Sequence, residues 1–391
     1  MSIGLLYEQS ETDEMGIKLT AEELGVNLTF IPFRKIAISI YKNGYNVATR
    51  GKNYNSIIKD VAVVLNRAQS KNRRLYASHI MEALGKKVIN SFSIEFECYS
   101  KFRTLTHLWA VGLPIPKTVY VPCDAFDITK DGRVIRNESD IADLLQKEIG
   151  DEIVTKPDAG THGKAIGLSR SREELIANVK ETKPSIINPI GILAQEFIEK
   201  WFYDLRIIVY KEKGKDPICH PVAMARAGLK DFRTNTSLGN FVFDAKLPQR
   251  IREQAVKCGK VIAREHEAWV FGLDAMINAG KYKNVDNEVK AELAKAAVEF
   301  EKVEKMKHDE TRLRDFKAWN SKLETAVKNY KSIESYSKVK DIIEENVEAN
   351  QLCIVFHEAN SCPDFWENTR LITGINLAVP LLKGAESLIQ S

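Results

Sequence analysis

Residues 356–366 read Phe-His-Glu-Ala-Asn-Ser-Cys-Pro-Asp-Phe-Trp, and this stretch decides the fold. Glu358 and Asn360 stand two apart at the end of a strongly apolar run, residues 352–356. Side chains at i and i+2 of a strand leave on the same face, so both oxygens can aim at one hard cation. A second carboxylate, Asp274, ends an earlier apolar run at residues 269–273. Three oxygen ligands on adjacent strands, with no His or Cys among them, suit Mg²⁺ or Mn²⁺ held mainly for a phosphate substrate. Alone, the same residues also fit an Asn–Ser–Cys–Pro turn that merely closes a strand. The remainder of the chain weighs between the two.

At 391 residues the chain is long for a single core and suits two or three packed α/β subdomains. Hydrophobic residues make up 44% and charged residues 28%, an ordinary globular mix. A net charge of +4 on 57 basic and 53 acidic residues is too balanced to point to nucleic acid or a membrane surface. No apolar run approaches the roughly 20 residues of a membrane helix. The N-terminus, Met-Ser-Ile-Gly-Leu-Leu-Tyr-Glu, enters a strand-like pattern rather than a signal-peptide layout. Six cysteines at 98, 123, 219, 258, 353 and 362 form no CxxC pair. That argues against zinc and for reduced thiols in a cytoplasmic protein.

Patterning predicts an alternating α/β unit first. Its strands fall at 3–7, 28–33, 61–65 and 88–90, its helices near 11–25 and 71–84, and a hairpin over 36–49 turns at Asn43-Gly44. Next comes a helix with Phe102, Leu105, Leu108 and Trp109 on its apolar face, stopped by Gly112 and Pro114. A strand at 117–121 and a helix at 139–148 follow. From 152 to 198 the expected order is strand, Gly-rich turn, strand, helix, strand. Strands at 204–210 and 221–227 precede a helix near 248–267. The strand at 269–278 should pair with 351–358, and 373–389 should be a closing helix. Between those paired strands lies an insertion, 283–350. Val289, Leu293, Ala296, Phe300 and Val303, then Leu313, Phe316, Leu323, Val327 and Tyr330, recur there at helical spacing. Two antiparallel helices turning at 308–310 are expected, with a third, shorter one carrying Val339, Ile342, Ile343 and Val347.

Thr155-Lys156-Pro157-Asp158-Ala159-Gly160-Thr161-His162-Gly163-Lys164 sits between two predicted strands. It lacks Walker spacing, since Asp158 stands five residues before Gly163 and Ala165 follows Lys164. Such a turn can still fold over a polyphosphate, backbone N–H groups inward and a lysine at its base, or be an ordinary hairpin loop. Gln195-Glu196-Phe197-Ile198 can offer backbone groups to an adenine edge and an acid to a ribose, or be a plain edge strand. Asp204 and Arg206 share a strand face, Arg226 lies on the next strand, and Asp231-Phe232-Arg233-Thr234-Asn235 follows. Three guanidiniums converging on one cavity would be costly without an anion. The alternative is a solvated face with pairs such as Asp204–Arg206.

In that order, Lys101, the Lys156-Pro loop, Gln195-Glu196, Asp204-x-Arg206, Phe232-Arg233-x-Asn235, Gly272-Leu273-Asp274 and Glu358-Ala-Asn360 resemble the ATP-grasp superfamily. Its RimK-like branch is the best match: the glutamate ligases acting on a ribosomal protein or on cofactors, and the amino-group carrier protein ligases of lysine and arginine biosynthesis. The tail from Asn360 through Asn368, Thr369 and Arg370 to Thr373-Gly374-Ile-Asn is similar to the lysine-pathway ligases. Their corresponding run is shorter, so that Trp366 or Glu367 is extra here. The resemblance covers nearly the whole chain outside 283–350.

The resemblance implies an α/β (α+β) ATP-grasp fold. Its parts would be an N-terminal pre-ATP-grasp domain over 1–95, a central lid subdomain with the Gly-rich flap over 96–192, and a C-terminal antiparallel-sheet subdomain over 193–391. The helical insertion 283–350 lies within the last. Lys101, following Ser100 where the family usually has Asp, and Lys156 would contact ATP phosphates. Gly160, Thr161, His162 and Gly163 would close as a flap. Gln195, Glu196, Phe197 and Ile198 would hold adenosine, with Asp204 on the nucleotide side. Asp274, Glu358 and Asn360 would hold two Mg²⁺ (or Mn²⁺) ions. Arg233, helped by Arg206 or Arg226, would stabilise an acyl-phosphate, and Asn235, Asn368 and Thr369 would touch the substrate.

The implied enzyme is an ATP-dependent, ADP-forming ligase. A carboxylate attacks the γ-phosphate, metal and arginine neutralise the equatorial oxygens, and an amine then displaces phosphate to give an amide. The expected partners are an amino acid and a peptide, carrier-protein or cofactor carboxylate. Two other readings stay open: a non-catalytic ATP-binding scaffold, and an ATP-grasp enzyme that phosphorylates or carboxylates without forming an amide. The insertion leaves the hairpin at the end away from Asp274 and Glu358, roughly 20 Å from them by strand length. It is therefore expected to meet another subunit of a homo-oligomer or a protein partner, with a lid folding back as the alternative.

Overall fold

The computed structural model describes residues 2–9, 11–124, 126–160, 165–184, 191–228, 232–233, 240–279 and 285–389. A parallel four-stranded sheet comes first, in the order Leu28–Pro32, Ser2–Tyr7, Val61–Asn66, Lys87–Ile89. Its strands are nearly continuous Val, Ile and Leu because apolar clusters lie on both faces. The hairpin Ala37–Tyr41 with Gly44–Ala48 forms where Asn43-Gly44 predicts it.

A second sheet is antiparallel, ordered Thr118–Val121, Ile192–Glu196, Ile153–Lys156, Gly167–Ser169. Helices Glu138–Ile149 and Arg172–Thr182 bury Ile141, Leu145, Leu175 and Val179 against it. The third sheet has six strands. Phe241–Lys246, Val222–Ala227, Tyr203–Lys211, Trp269–Ile277 and Ile354–Asn360 run antiparallel, with Ile218–Cys219 beside Tyr203–Lys211. Helix Gln249–Ala263 packs Ile251, Ala255, Cys258 and Ile262 into the same core. Gly259 makes that contact possible, because a Cβ there would stand 2.5 Å from Trp269.

The sequence reading passes over the strand Phe241–Lys246 and the helix Phe92–Tyr99, together with the short helices Asn55–Asp60 and Thr369–Thr373 and the two-residue strand Ile218–Cys219. The strand Phe241–Lys246 lacks the strict alternation of a half-buried strand, since Val242 and Phe243 are both buried. Trp109, expected on an apolar face, is 71% exposed, and Leu313 is 80% exposed.

The insertion packs on its own chain. Its helices are Asn287–Lys307, Phe316–Ser332 and Glu334–Ala349, with the short Thr311–Arg314 between the first two. They bury Leu293, Phe300, Trp319, Leu323, Tyr330, Ile343 and Val347 in the same core as the third sheet. Tyr330 donates to Val242 O at 2.9 Å, Tyr203 to Asn346 Oδ1 at 2.7 Å, and Tyr336 to Asp244. The third helix is the shortest of the three, 16 residues against 21 and 17.

Asn90 joins the first and third sheets. Its amide donates to Val270 O at 2.7 Å and Ser361 O at 2.6 Å and accepts from Val270 N–H at 3.0 Å. No helix among the described residues is long and apolar enough to cross a membrane.

Candidate active site

Asp274 and Glu358 are direct partners in the ladder between Trp269–Ile277 and Ile354–Asn360. The register slips just after Asp274, so Ala275 pairs with Phe356 and His357 is the extra, bulged residue. The Asn360 amide lies 3.4 Å from Asp274 Oδ2. The hairpin thus brings Asp274, Glu358 and Asn360 together. Gly272 lets the following turn cross back, since a Cβ would meet Pro363 Cβ at 2.8 Å.

The arginines are sorted by register. Asp204 pairs with Arg226 across one ladder and Arg206 with Asp274 across the next. Both pairs are bidentate: Arg226 to Asp204 at 2.7 and 2.8 Å, Arg206 to Asp274 at 2.8 and 2.9 Å. Arg226 also stands 3.4 Å from the Asp274 carboxylate. The pairing expected of a solvated face, Asp204–Arg206, does not form, and Asp204 is buried by its Arg226 clamp rather than turned to a nucleotide. Burial works to raise the Asp274 carboxyl, but Arg206 and then Arg226 outweigh it and hold it well below the usual range. Arg233 is not brought into this group. Its carbonyl accepts from Asn240 at 3.1 Å and its guanidinium lies 5.8 Å from the Phe232 ring centroid.

Lysines line the other side. Ser100 caps the helix Lys101–Ala110, accepting from Arg103 N–H at 3.0 Å, which puts Lys101 at the first helical position. Its ammonium donates to the carbonyl of Gly160 at 2.7 Å and lies 3.4 Å from those of Pro157 and Asp158, tying it to the base of the Gly-rich turn. It also stands 3.6 Å from Glu358 Oε1. Lys156 is buried, and burial followed by Lys101 pushes its ammonium down to about 8. Burial opposes the Glu358 anion, yet Lys101 and Lys71 hold its carboxyl below the ordinary range. Thr161, His162, Gly163 and Asn235 lie outside the described residues.

In the predicted adenosine segment, Gln195 donates to Thr118 Oγ1 at 2.9 Å, and Glu196 accepts from Lys117 N–H at 2.8 Å. Phe197 and Ile198 follow that strand, which lies inside its sheet between Thr118–Val121 and Ile153–Lys156, and Ile198 is buried. In the predicted substrate segment, Asn368 accepts from Lys307 of the insertion at 2.6 Å. Thr369 is fully buried, its hydroxyl 3.3 Å from Asp364 O. It holds the turn instead of facing a substrate, as a helix-start residue under packed strands must.

Two residues went unnoticed in the sequence. His357 is displaced into the site by the bulge, and burial, then Lys156, pushes it down to about 4. Lys71 stands 3.7 Å from Glu358 Oε1. Ser70-Lys71 repeats the Ser100-Lys101 pattern of a serine cap followed by lysine at the first helical position. That repetition was the available signal.

Among the described residues no group of three His, Cys, Asp or Glu side chains could hold an ion. A cation here would rest on the two carboxylates and the Asn360 oxygen. Hard, anionic donors beside a lysine-lined space fit Mg²⁺ together with a phosphate.

Residues 127–308 match the RimK-like ATP-grasp domain. The alpha-aminoadipate–LysW ligase LysX of Saccharolobus solfataricus is 29% identical over 229 residues, covering 56% of this chain and 76% of the relative. Among solved structures, the ATP-grasp ligase PsnB complexed with minimal precursor, Mg and ADP shares the fold at a TM-score of 0.53 and 11% identity, over 100% of this chain and 98% of that one. D-alanyl-alanine synthetase A from Vibrio cholerae does so at 0.57 and 8%, over 100% and 99%. The facing carboxylates, the clamped arginines and the lysines of the turn accompany these likenesses: the chain is similar to ATP-grasp ligases of the RimK-like kind.

Proposed function

We propose that the chain activates the carboxylate of a peptide or carrier protein as an acyl-phosphate and joins it to the amino group of an amino acid. ADP and phosphate are the other products. The observation that carries this reading is the facing pair Asp274–Glu358, flanked by Arg206 and Arg226 on one side and by Lys101 on the other. That arrangement suits a polyanion whose charge shifts during transfer. Asp274, Glu358 and Asn360 would hold two Mg²⁺ ions, whose chemistry when bound is to neutralise the transferring phosphoryl group. Lys101 and Lys156 would hold phosphate oxygens, and residues 195–198 the adenosine. Arg206 and Arg226 would keep Asp274 ionised and oriented, and Arg233, which stands apart from that group in this structure, would stabilise the acyl-phosphate once brought to it. The segments 1–95, 96–192 and 193–391 would act as acceptor, lid and catalytic units, with Asn368 on the acceptor side.

Two likenesses support the partner class. One relative bears the name of a ligase acting on the carrier LysW, and PsnB was solved with a precursor peptide. The test is ADP release measured over pairs of amino acids and carboxyl-terminal peptides or carrier proteins, with mass spectrometry of the product. Release that needs both partners and yields an amide supports the reading. Release indifferent to the amine contradicts it.

A further inference from the structure

Lys71 is nine-tenths buried, its side chain 10% exposed, and its ammonium has no hydrogen-bond partner among the described residues. A buried ammonium without acceptors is costly, so a fold that keeps one holds it for an anion. Among the described residues its one charged neighbour at salt-bridge distance is Glu358 Oε1 at 3.7 Å, the same oxygen that Lys101 approaches at 3.6 Å. Both separations exceed a hydrogen bond, and while Lys101 also donates to the Gly160 carbonyl, Lys71 is left unsatisfied by that carboxylate oxygen.

The placement of Lys71 is firm. Glu8, just beyond the strand Ser2–Tyr7, accepts from Ser70 N–H at 2.7 Å and binds the Arg73 guanidinium. Ser70 caps the helix Lys71–Ala83, so Lys71 stands at its positive end. The site therefore receives one lysine from the helix Lys101–Ala110, tied to the lid turn, and another from the first sheet's own helix.

We propose that Lys71 is a ligand of the γ-phosphoryl group of ATP, contributed by the N-terminal unit and closing the phosphate cage opposite Lys101. The inference rests on the nucleotide reading of the site given above. In the reaction Lys71 would neutralise the terminal phosphoryl oxygens that ADP lacks. It would thus link the part of the molecule proposed to seat the acceptor to the group being transferred.

The test is direct binding of Mg²⁺ with a non-hydrolysable ATP analogue, and of Mg²⁺ with ADP, to the full chain by calorimetry. Wild type, Lys71→Met and Lys71→Gln are compared, with thermal melting to confirm folding. Both variants should weaken the triphosphate about tenfold or more while changing ADP by less than about threefold. Lys71→Arg, which keeps the charge, should recover most of the triphosphate affinity. Equal weakening of both nucleotides, or of neither, overturns the proposal and leaves the nucleotide site standing. An unchanged nucleotide pair with a raised KM for the carboxylate substrate overturns it too, by assigning Lys71 to that anion. Wild type that binds neither nucleotide sinks the site reading itself.

Discussion

Arg226 shows how much of this site is electrostatic scaffolding. Its guanidinium is fully buried on Asp204, with Asp274 alongside. Arg226→Met would strand Asp204 in the interior, and losing one partner of a buried pair costs about 3–5 kcal/mol. Breaking the exposed Arg172–Asp143 pair should leave stability nearly unchanged, because water screens it. Urea unfolding of the two variants checks the contrast, and similar midpoints would contradict it. Glu14 offers a pH test. Burial raises its carboxyl from 4.5 to about 7, with Arg67 opposing and Asp13 adding to the rise. The folded state then holds a proton that the unfolded chain releases. This contribution is complete below about 4.5 and is lost as pH climbs through about 7. Glu14→Gln keeps an acceptor for the Glu11 N–H of the capping box. Between those pH values the wild type should lose up to about 3 kcal/mol relative to the variant. Parallel stability profiles would refute the assignment. At this scale Asp274, Glu358 and Asn360 were legible because strand alternation fixes their direction. Lys71 was not, because its proximity to Glu358 depends on how two units dock.

Helix Thr12–Leu24 and the tail after Asn360 meet at a point where two element-level rules conflict. Gly16→Ala should favour an isolated helix by about 1 kcal/mol. Yet a Cβ at Gly16 would stand 2.0 Å from the Trp366 ring, so overpacking wins and the variant should lose about 1–3 kcal/mol. Trp366→Leu should relieve most of that loss in the double variant, and a non-additive thermal-unfolding cycle is the readout. A cycle that adds would mean the helix and tail are not in contact. The insertion poses the same kind of question. Its apolar spacing was visible, and Leu293, Phe300, Leu323 and Tyr330 are buried as that spacing requires. Its destination was not visible, because the strand it covers, Phe241–Lys246, was itself missed. Tyr336→Phe removes one donor to Asp244, which Lys340 still bridges at 2.8 Å. The expected cost is about 1 kcal/mol, with the folded state retained.

Across the whole molecule, the ordered positions 101, 156, 195–198, 204–206, 272–274 and 358–360 gave the architecture away: 272–274 lie mid-strand, the others at or next to a strand or helix end, where local geometry constrains them. What stayed hidden was contact between distant segments: Asn90 against Val270 and Ser361, and Lys307 against Asn368. Such contacts have no local period to read. The central claim is that Asp274, Glu358 and Asn360 together grip a divalent cation carrying a nucleotide. Electron paramagnetic resonance of Mn²⁺ titrated with ADP into wild type, Asp274→Asn and Glu358→Ala tests it without any substrate being known. The wild type should form a ternary Mn²⁺–ADP complex, and each folded variant should lose at least about tenfold in Mn²⁺ affinity. Folded variants that bind Mn²⁺ and ADP as the wild type does would contradict it.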